Sequence, residues 1–284
     1  MKFSLIDKKN GIYIFQLDNK NHIKICPSRG GIITNWVSNS ESILYFDQKR
    51  FLQKSKSIRG GIPILFPICG DLQSKSSIFG SKFKQLMQHG FARELVWKCF
   101  ENKDNNSLCL TLKANEFSRQ YYPFNFEINI DLFLHFNKLE FFISIYNHSS
   151  VQMPVNFGLH PYLNISDFSN IEFINPPVTC LDQQKNNLRL TSSALKNIKN
   201  GVDLLTYSSG KTLLKDNFYK RIITLTHPYP FDLGVYWSDP PRKMVCIEPW
   251  TSPRNSFIDQ FRKIYISAEQ SKKLYACLSI NRIE

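Results

Sequence analysis

The sequence lacks any apolar stretch that approaches the roughly 18 residues of a membrane-spanning helix. Its first ten residues, MKFSLIDKKN, are interrupted by charges, which leaves no apolar core long enough for a secretory signal peptide. Acidic residues are few, 23 against 36 Lys and Arg, while 42% of the chain is hydrophobic. This composition supports a large buried core and excludes intrinsic disorder, so we expect a soluble cytoplasmic protein.

Cysteine spacing indicates neither a disulfide framework nor a zinc knuckle. The cysteines number seven, which is odd, and they are widely scattered without any CxxC pair. We therefore expect free thiols. The cysteines are Cys26, Cys69, Cys99, Cys109, Cys180, Cys246 and Cys277.

The excess of positive charge is concentrated in one segment. Residues 49–98 contain ten cations against the acids Asp71 and Glu94, and thus supply +8 of the formal +13. A solvated surface is the first interpretation and an anionic small-molecule substrate the second. Nucleic acid comes third, because no RNP-like, helix-turn-helix or finger pattern is present. The cations are Lys49, Arg50, Lys54, Lys56, Arg59, Lys75, Lys82, Lys84, Arg93 and Lys98.

Alternating hydrophobicity predicts β-strands over most of the chain. Apolar residues take every second position between residues 126 and 136, and again between residues 139 and 145 after a turn at Asn137 and Lys138. This pattern predicts a hairpin. Shorter runs of the same kind occur at residues 12–17, 22–26, 108–114, 222–226, 233–237, 244–248 and 273–280.

Helical periodicity is poor, and short helices are expected near residues 41–51 and 194–200. No internal repeat or low-complexity tract divides the chain, and the polar segment 183–199 is interpreted as a connection because strand-like sequence continues on both sides. Many strands separated by polar turns favour an all-β fold, a large antiparallel β-sandwich. We expect residues 1–284 to form it as a single domain.

Two glycine-marked loops carry charged side chains that could face a ligand. In residues 59–67, RGGIPILFP, paired glycines and two prolines fix a tight backbone path beside Arg59. In residues 89–93, HGFAR, His89 and Arg93 lie four positions apart across a glycine. The alternatives are a structural loop for the first motif and an ordinary turn histidine for the second.

Two further segments supply a candidate acid/base pair. His160 lies in residues 156–162, NFGLHPY, and Glu248 ends an apolar strand in residues 246–255, CIEPWTSPRN. A carboxyl group at a strand end near aromatic surface can have a raised pKa and act as a base. The alternatives are a salt bridge for Glu248 and a core histidine satisfied by backbone for His160.

Together RGGIPILFP, HGFAR, GLHPY and IEPW, in this order and at these separations, resemble the aldose 1-epimerase (galactose mutarotase-like) superfamily. The resemblance is nearest to its hexose-6-phosphate-epimerase-like branch and covers residues 59–255. It implies an antiparallel β-supersandwich with few short helices and a sugar groove across one sheet. The implied reaction interconverts the α and β anomers of a hexose or hexose 6-phosphate, without a cofactor or a metal.

The resemblance also implies roles for single residues. Glu248 would take the proton of the C1 hydroxyl and His160 would protonate the ring oxygen, with the carboxylate helping to keep the imidazolium charged. A family aspartate that binds sugar hydroxyls is matched better by Asp203 than by its rival Asp216. The remaining substrate contacts would come from His89, Arg59 and Arg93. Trp250 and Phe66 are candidates for apolar contact with the face of a pyranose, with ordinary core packing as the alternative, above all for Phe66.

Two other functions stay open from the sequence. One is a carbohydrate-binding or regulatory protein that has lost catalysis on the same fold, although a pure binder has no need for the acid/base pair. The other is a nucleic-acid binder based on the positive charge. The preferred partner is a small-molecule sugar or sugar phosphate, with neither nucleic acid nor membrane, and the protein is expected to be a monomer or a weak homodimer.

Overall fold

The computed structural model describes residues 2–53 and 55–283, so Lys54 of the basic segment lies outside the described residues. Strands make up 47% of the structure. In chain order they are β1 Lys2–Asp7, β2 Ile12–Asp18, β3 Asn21–Cys26, β4 Ile32–Ser38, β5 Glu41–Ser42, β6 Ile64–Leu65, β7 Lys98–Asn102, β8 Ser107–Lys113, β9 Phe126–Leu134, β10 Lys138–Asn147, β11 Met153–Val155, β12 Gly158–Leu159, β13 Tyr162–Asn164, β14 Ile171–Ile174, β15 Thr179–Asp182, β16 Asn187–Leu190, β17 Asp203–Tyr207, β18 Lys211–Asp216, β19 Arg221–Thr226, β20 Leu233–Trp237, β21 Met244–Trp250, β22 Ile264–Ile266 and β23 Ser271–Arg282.

The helices are short turns between strands. The second of them starts with a capping box, in which Asn115 accepts a hydrogen bond from the backbone of Ser118 and the Ser118 hydroxyl accepts one from the backbone of Asn115. No helix within residues 2–53 and 55–283 is long and apolar enough to cross a membrane. The α-helices are α1 Gln48–Phe51, α2 Glu116–Arg119, α3 Thr191–Leu195 and α4 Ser256–Asp259, and 3₁₀ turns lie at Ala92–Glu94 and Ile198–Asn200.

The helix predicted near residues 41–51 is wrong over most of its length. Strand β5 occupies its start and isolated β-bridges follow, so that α1 alone is helical, because pairing with neighbouring strands overrides local propensity. The helix predicted near residues 194–200 is divided between α3 and a 3₁₀ turn. The polar segment 183–199 is more than a connection, since it contains β16.

Antiparallel sheets dominate the architecture, as predicted. Strands β1 to β5 form a meander in sequence order. One eight-stranded sheet has the order β14-β18-β19-β23-β10-β9-β8-β7, and the predicted hairpin is its β9–β10 pair. The second has the order β16-β15-β17-β20-β21-β12-β6, with β13 also pairing to β21, while β11 and β22 form a separate pair.

Side-chain alternation directs one face of each large sheet into a shared core. Leu132 of β9 and Phe141 of β10 belong to the same hydrophobic cluster as Tyr236 of β20 and Ile247 of β21. The two large sheets therefore pack against each other, and each such buried side chain contributes about 1.5–3 kcal/mol. The opposite face of β20 and β21 is free to carry polar groups.

Candidate active site

Glu248 is positioned by the alternation of β21. Val245 and Ile247 enter the core, so Cys246, Glu248 and Trp250 project from the opposite face of the strand. The carboxyl group is buried, and its Oε2 accepts a hydrogen bond from the indole Nε1–H of Trp250 at 3.1 Å. This contact leaves Oε1 to face another group.

That other group is the imidazole of His160, which lies between β12 and β13. The His160 Nε2 atom is 3.3 Å from Oε1 of Glu248. The backbone N–H of His160 donates to the carbonyl of Pro63 at 3.0 Å, and its ring stacks on Tyr162 with centroids 4.7 Å apart and planes 8° apart. Backbone and ring are both fixed, so the pair is held at a distance suited to proton transfer.

His89 approaches the same place from a strained loop. Its φ is +64°, a region that non-glycine residues rarely adopt, and a Cβ at the following Gly90 would overlap the carbonyl oxygen of Phe66. The backbone N–H of Gly70 donates to Nδ1 of His89 at 3.1 Å, so the ring proton resides on Nε2. Burial, together with the nearby His160, lowers the pKa of His89 well below its usual value. His89 is therefore a neutral hydrogen-bond donor.

Burial also shifts the pKa values of Glu248 and His160. It raises the pKa of Glu248 well above its usual value, and the negative charge of Asp203 adds to this effect. It lowers the pKa of His160 to about 3, with further lowering by Arg93 and Arg59. Burial therefore opposes the charged form of each partner, and the expectation that the carboxylate keeps His160 charged stays a prediction.

Arg59 and Arg93 both reach this site. The Nε of Arg59 lies 3.3 Å from Oδ2 of Asp239, and its guanidinium lies 5.4 Å from the ring centre of Trp237. Arg93 is held by a hydrogen bond from Nη2 to the carbonyl of Gln88 at 2.9 Å. Each guanidinium keeps further N–H groups that a ligand could use.

The structure separates the two candidate aspartates. Asp203 begins β17 and lines the same hollow as Glu248. Asp216 ends β18 in the other large sheet, where it accepts hydrogen bonds from the backbone N–H of Ser166 at 2.9 Å and from its hydroxyl at 2.7 Å. Asp216 therefore stabilises a turn, and of the two aspartates Asp203 is the one that lines the hollow.

All seven predicted site residues meet in one hollow of about 260 Å³. Phe66, by contrast, is fully buried among aromatic rings of the core and does not offer a face to a sugar. Trp237 on β20 was not singled out by sequence reasoning, although alternation along that strand could have placed it beside Val235. The hollow is lined by Ser57, Arg59, Gln88, His89, Arg93, His160, Tyr162, Asp203, Val235, Trp237, Glu248, Trp250 and Arg254.

Arg254 is the charged residue of the hollow to which sequence reasoning gave no role. It follows β21 and lies six positions after Glu248 in the same quoted motif, which was the available signal. Its Nη2 contacts Asp203 Oδ2 at 2.7 Å, and its Nη1 contacts Asp71 Oδ1 at 3.0 Å. A side chain at Gly70 would collide with Arg254, so the glycine makes room for this arginine.

A larger hollow, of about 550 Å³, lies beside the amino-terminal meander. Lys24, Asn35 and Gln48 line it together with apolar side chains, and its lining within the described residues includes neither histidine nor glutamate. Size therefore does not identify the site, whereas the acid/base pair of the smaller hollow does.

The side chains of His160, Cys246 and Glu248 form the one cluster within the described residues that could ligate a metal ion, with ligand atoms within 4.8 Å of one another. Three guanidinium groups, those of Arg59, Arg93 and Arg254, line the same hollow. This positive charge disfavours a further cation. The arrangement suits proton transfer on a polyhydroxylated ligand better than metal binding.

Comparisons with known proteins identify the family of the chain. A sequence profile described as aldose 1-epimerase matches residues 13–269. A Salmonella typhimurium protein named "Putative glucose-6-phosphate 1-epimerase" is 27% identical over 148 residues, which are 51% of this chain and 46% of that protein. A protein of the same name from Cenchrus ciliaris is 28% identical over 50% of this chain and 44% of its own length. The chain thus spans about half the length of the curated relatives it matches.

Solved structures cover the whole fold. The Slr1438 protein from Synechocystis sp. PCC 6803 is 28% identical, covers 99% of both chains and gives a TM-score of 0.90. A galactose mutarotase-like protein from Clostridium acetobutylicum, at 17% identity, covers 99% of this chain and 98% of its own with a TM-score of 0.79, and shows the fold alone. Because the family profile spans most of the sequence, the chain belongs to the aldose 1-epimerase family.

Proposed function

We propose that this protein is an aldose 1-epimerase that interconverts the α and β anomers of a hexose or hexose 6-phosphate. The observation that carries the proposal is the contact of 3.3 Å between His160 Nε2 and Glu248 Oε1, both of which line a hollow of about 260 Å³. Anomer exchange needs one base and one acid acting on adjacent oxygens, and such a pair supplies both. The names of the curated relatives support the same reaction type.

The proton count of the pair balances over the reaction. To open the ring, Glu248 as carboxylate takes the proton of the C1 hydroxyl while His160 as imidazolium gives its proton to the ring oxygen. The aldehyde then rotates about the C1–C2 bond, and the same two transfers run backwards to close the ring from the other face. Because burial favours protonated Glu248 beside neutral His160, one proton first passes from Glu248 to His160 across their contact of 3.3 Å, and ring opening then returns the pair to the favoured state. The pair holds one proton throughout.

Three neighbours would orient the sugar. Nε2–H of His89 can donate to the ring oxygen or an adjacent hydroxyl, because its Nδ1 is occupied by the backbone of Gly70. Asp203 can accept from sugar hydroxyls at the other side of the hollow. Trp237 offers an apolar ring beside these polar groups, which suits the C–H face of a pyranose.

The two arginines of the basic segment favour a negatively charged substrate. Arg59 and Arg93 line the hollow, where Arg59 pairs with Asp239 at 3.3 Å and Arg93 pairs with Glu94 at 3.6 Å, and each guanidinium keeps N–H groups for a ligand. Charge-assisted hydrogen bonds are roughly twice as strong as neutral ones. We therefore favour a phosphorylated hexose over a free one.

Polarimetry of freshly dissolved α-anomers tests the proposal, with glucose, galactose and glucose 6-phosphate compared side by side. Glu248→Gln keeps the shape of the side chain but removes the base, so we expect kcat to fall by at least about 100-fold. Glu172→Gln, an exposed change on β14, is the matched control and should leave kcat unchanged. Near-full activity of folded Glu248→Gln would contradict the role of the glutamate. Sugar binding without mutarotation in the unchanged protein would instead identify a non-catalytic carbohydrate-binding protein.

A further inference from the structure

Asp203 has both carboxylate oxygens tied to neighbouring side chains. Its Oδ2 accepts a hydrogen bond from Arg254 Nη2 at 2.7 Å, and its Oδ1 accepts one from Gln183 Nε2 at 2.7 Å. Arg254 Nε in turn donates to Gln183 Oε1 at 2.8 Å. The three side chains therefore form a closed ring of hydrogen bonds, although they come from three separate segments of the chain.

Arg254 is itself anchored on its other side. Its Nη1 donates to Asp71 Oδ1 at 3.0 Å, and the neighbouring Asn255 binds the same loop, donating its backbone N–H to the carbonyl of Asp71 at 3.2 Å and accepting from the backbone of Gln73 at 2.6 Å. Each of the three guanidinium nitrogens thus already donates to a protein oxygen. A guanidinium held in this way is suited to fixing a neighbour, and less suited to recognising a phosphate.

We propose that Arg254, together with Gln183, is a positioning residue that orients the Asp203 carboxylate towards the sugar hydroxyls. The inference rests on the proposed function, because it assigns Asp203 to substrate. The two hydrogen bonds restrict rotation of the Asp203 carboxylate, and each oxygen keeps a lone pair that a ligand in the hollow could use. The positive charge of Arg254 also opposes the effect of burial, which raises the pKa of Asp203. Without Arg254 the carboxyl would both rotate and protonate more readily.

A double-mutant cycle separates this role from direct substrate contact. Hydrogen bonds to charged groups are worth about 1.5–3 kcal/mol, so Arg254→Ala should raise KM by about 10- to 100-fold with a smaller change in kcat. In the Asp203→Asn background the same change should alter KM by less than about three-fold, because nothing is left to orient. Arg254→Lys should recover part of the loss, since it keeps the charge and one contact.

Arg189→Ala is the control, because Arg189 pairs with Asp182 on the same sheet at 3.0 Å without lining the hollow. Its KM should equal that of the unchanged protein. Additive effects of Arg254→Ala and Asp203→Asn on KM would overturn the proposal and indicate direct contact of Arg254 with substrate. An Arg254→Lys variant that folds and yet is as impaired as Arg254→Ala would also count against it.

Calorimetric titration with the same sugars keeps this inference distinct from the proposed function. If no variant turns over any aldose but the protein binds one, the cycle is run on Kd, and non-additivity there supports the positioning role while the enzymatic proposal fails. The midpoints of urea unfolding for the four proteins of the cycle should likewise be non-additive. Additive midpoints together with additive affinities would refute the coupling of Arg254 to Asp203, whatever the activity.

Discussion

At the scale of single residues, the fold determines the environment of Glu248 and His160. Trp250 occupies one oxygen of Glu248, so the other is directed at His160. The motifs IEPW and GLHPY do not show that the two side chains are buried or that arginines lie nearby. Burial and the arginines shift the pKa values of both groups. The structure brings the two predicted side chains into contact, and their catalytic roles and resting protonation stay predictions.

The protonation of this pair predicts an unusual acid limit for activity. The active pair carries one proton, and a second proton binds His160 with a pKa of about 3. As pH falls, activity should thus persist, with kcat/KM at pH 5 within about two-fold of its value at pH 7, because kcat/KM follows the pKa values of the free enzyme. If the histidine had the ordinary pKa of about 6.5, kcat/KM would fall about 25-fold over this range. As pH rises through the raised pKa of Glu248, the pair loses its proton and activity declines.

Polarimetry from pH 4 to pH 9 measures this profile, with circular dichroism at each pH to confirm the fold. The apparent pKa values belong to the pair as a unit. An acid limb centred near the ordinary histidine pKa would show that His160 is not held neutral in the way that its burial indicates.

At the scale of the strand, period-two alternation was a reliable guide because a half-buried strand must sort its side chains between two faces. The hairpin of β9 and β10 and most short runs were found in this way. Contacts between residues far apart in the sequence could not be predicted in this way. Arg254 contacts Asp71, Gln183 and Asp203, which lie 51 to 183 positions before it, and no local sequence pattern indicates such contacts. The helix near residues 41–51 failed for a related reason, since pairing with distant strands decided its conformation.

Strand β10 offers a matched test of its two faces. Phe141 is 3% exposed and belongs to the core, whereas its neighbour Phe142 is 45% exposed on the outer face beside Phe133 and Tyr275. Phe141→Ala should lower the free energy of unfolding by about 3–5 kcal/mol. Phe142→Ala should cost about 0.5–1.5 kcal/mol, the worth of its aromatic contacts. Urea unfolding followed by fluorescence measures both, and equal losses would contradict the assignment of faces.

At the scale of the whole molecule, the positive charge acts in two ways that the sequence could not separate. Of the ten cations in residues 49–98, Arg59 and Arg93 line the hollow, and so contribute short-range contacts. Others, such as Lys75 and Lys98, are exposed and contribute at most a long-range field.

The expectation of a single domain stays a prediction, supported by a core cluster that extends from Phe15 to Ile280.

For a charged substrate, short-range contacts and the long-range field can be separated by changing the salt concentration and by substituting single cations. We expect kcat/KM for glucose 6-phosphate to exceed that for glucose, because a phosphate gains charge-assisted hydrogen bonds from Arg59 and Arg93. Arg59→Ala or Arg93→Ala should remove much of this preference, while Lys75→Ala, a change in the same basic segment outside the hollow, should leave it almost intact. Raising salt from 0.01 M to 0.15 M shortens the Debye length from about 30 Å to about 8 Å, so the long-range part should fade while the contact part persists. Equal kcat/KM for the two sugars at both salt concentrations, unaltered by either arginine substitution, would refute a phosphate preference and leave a free aldose as the substrate.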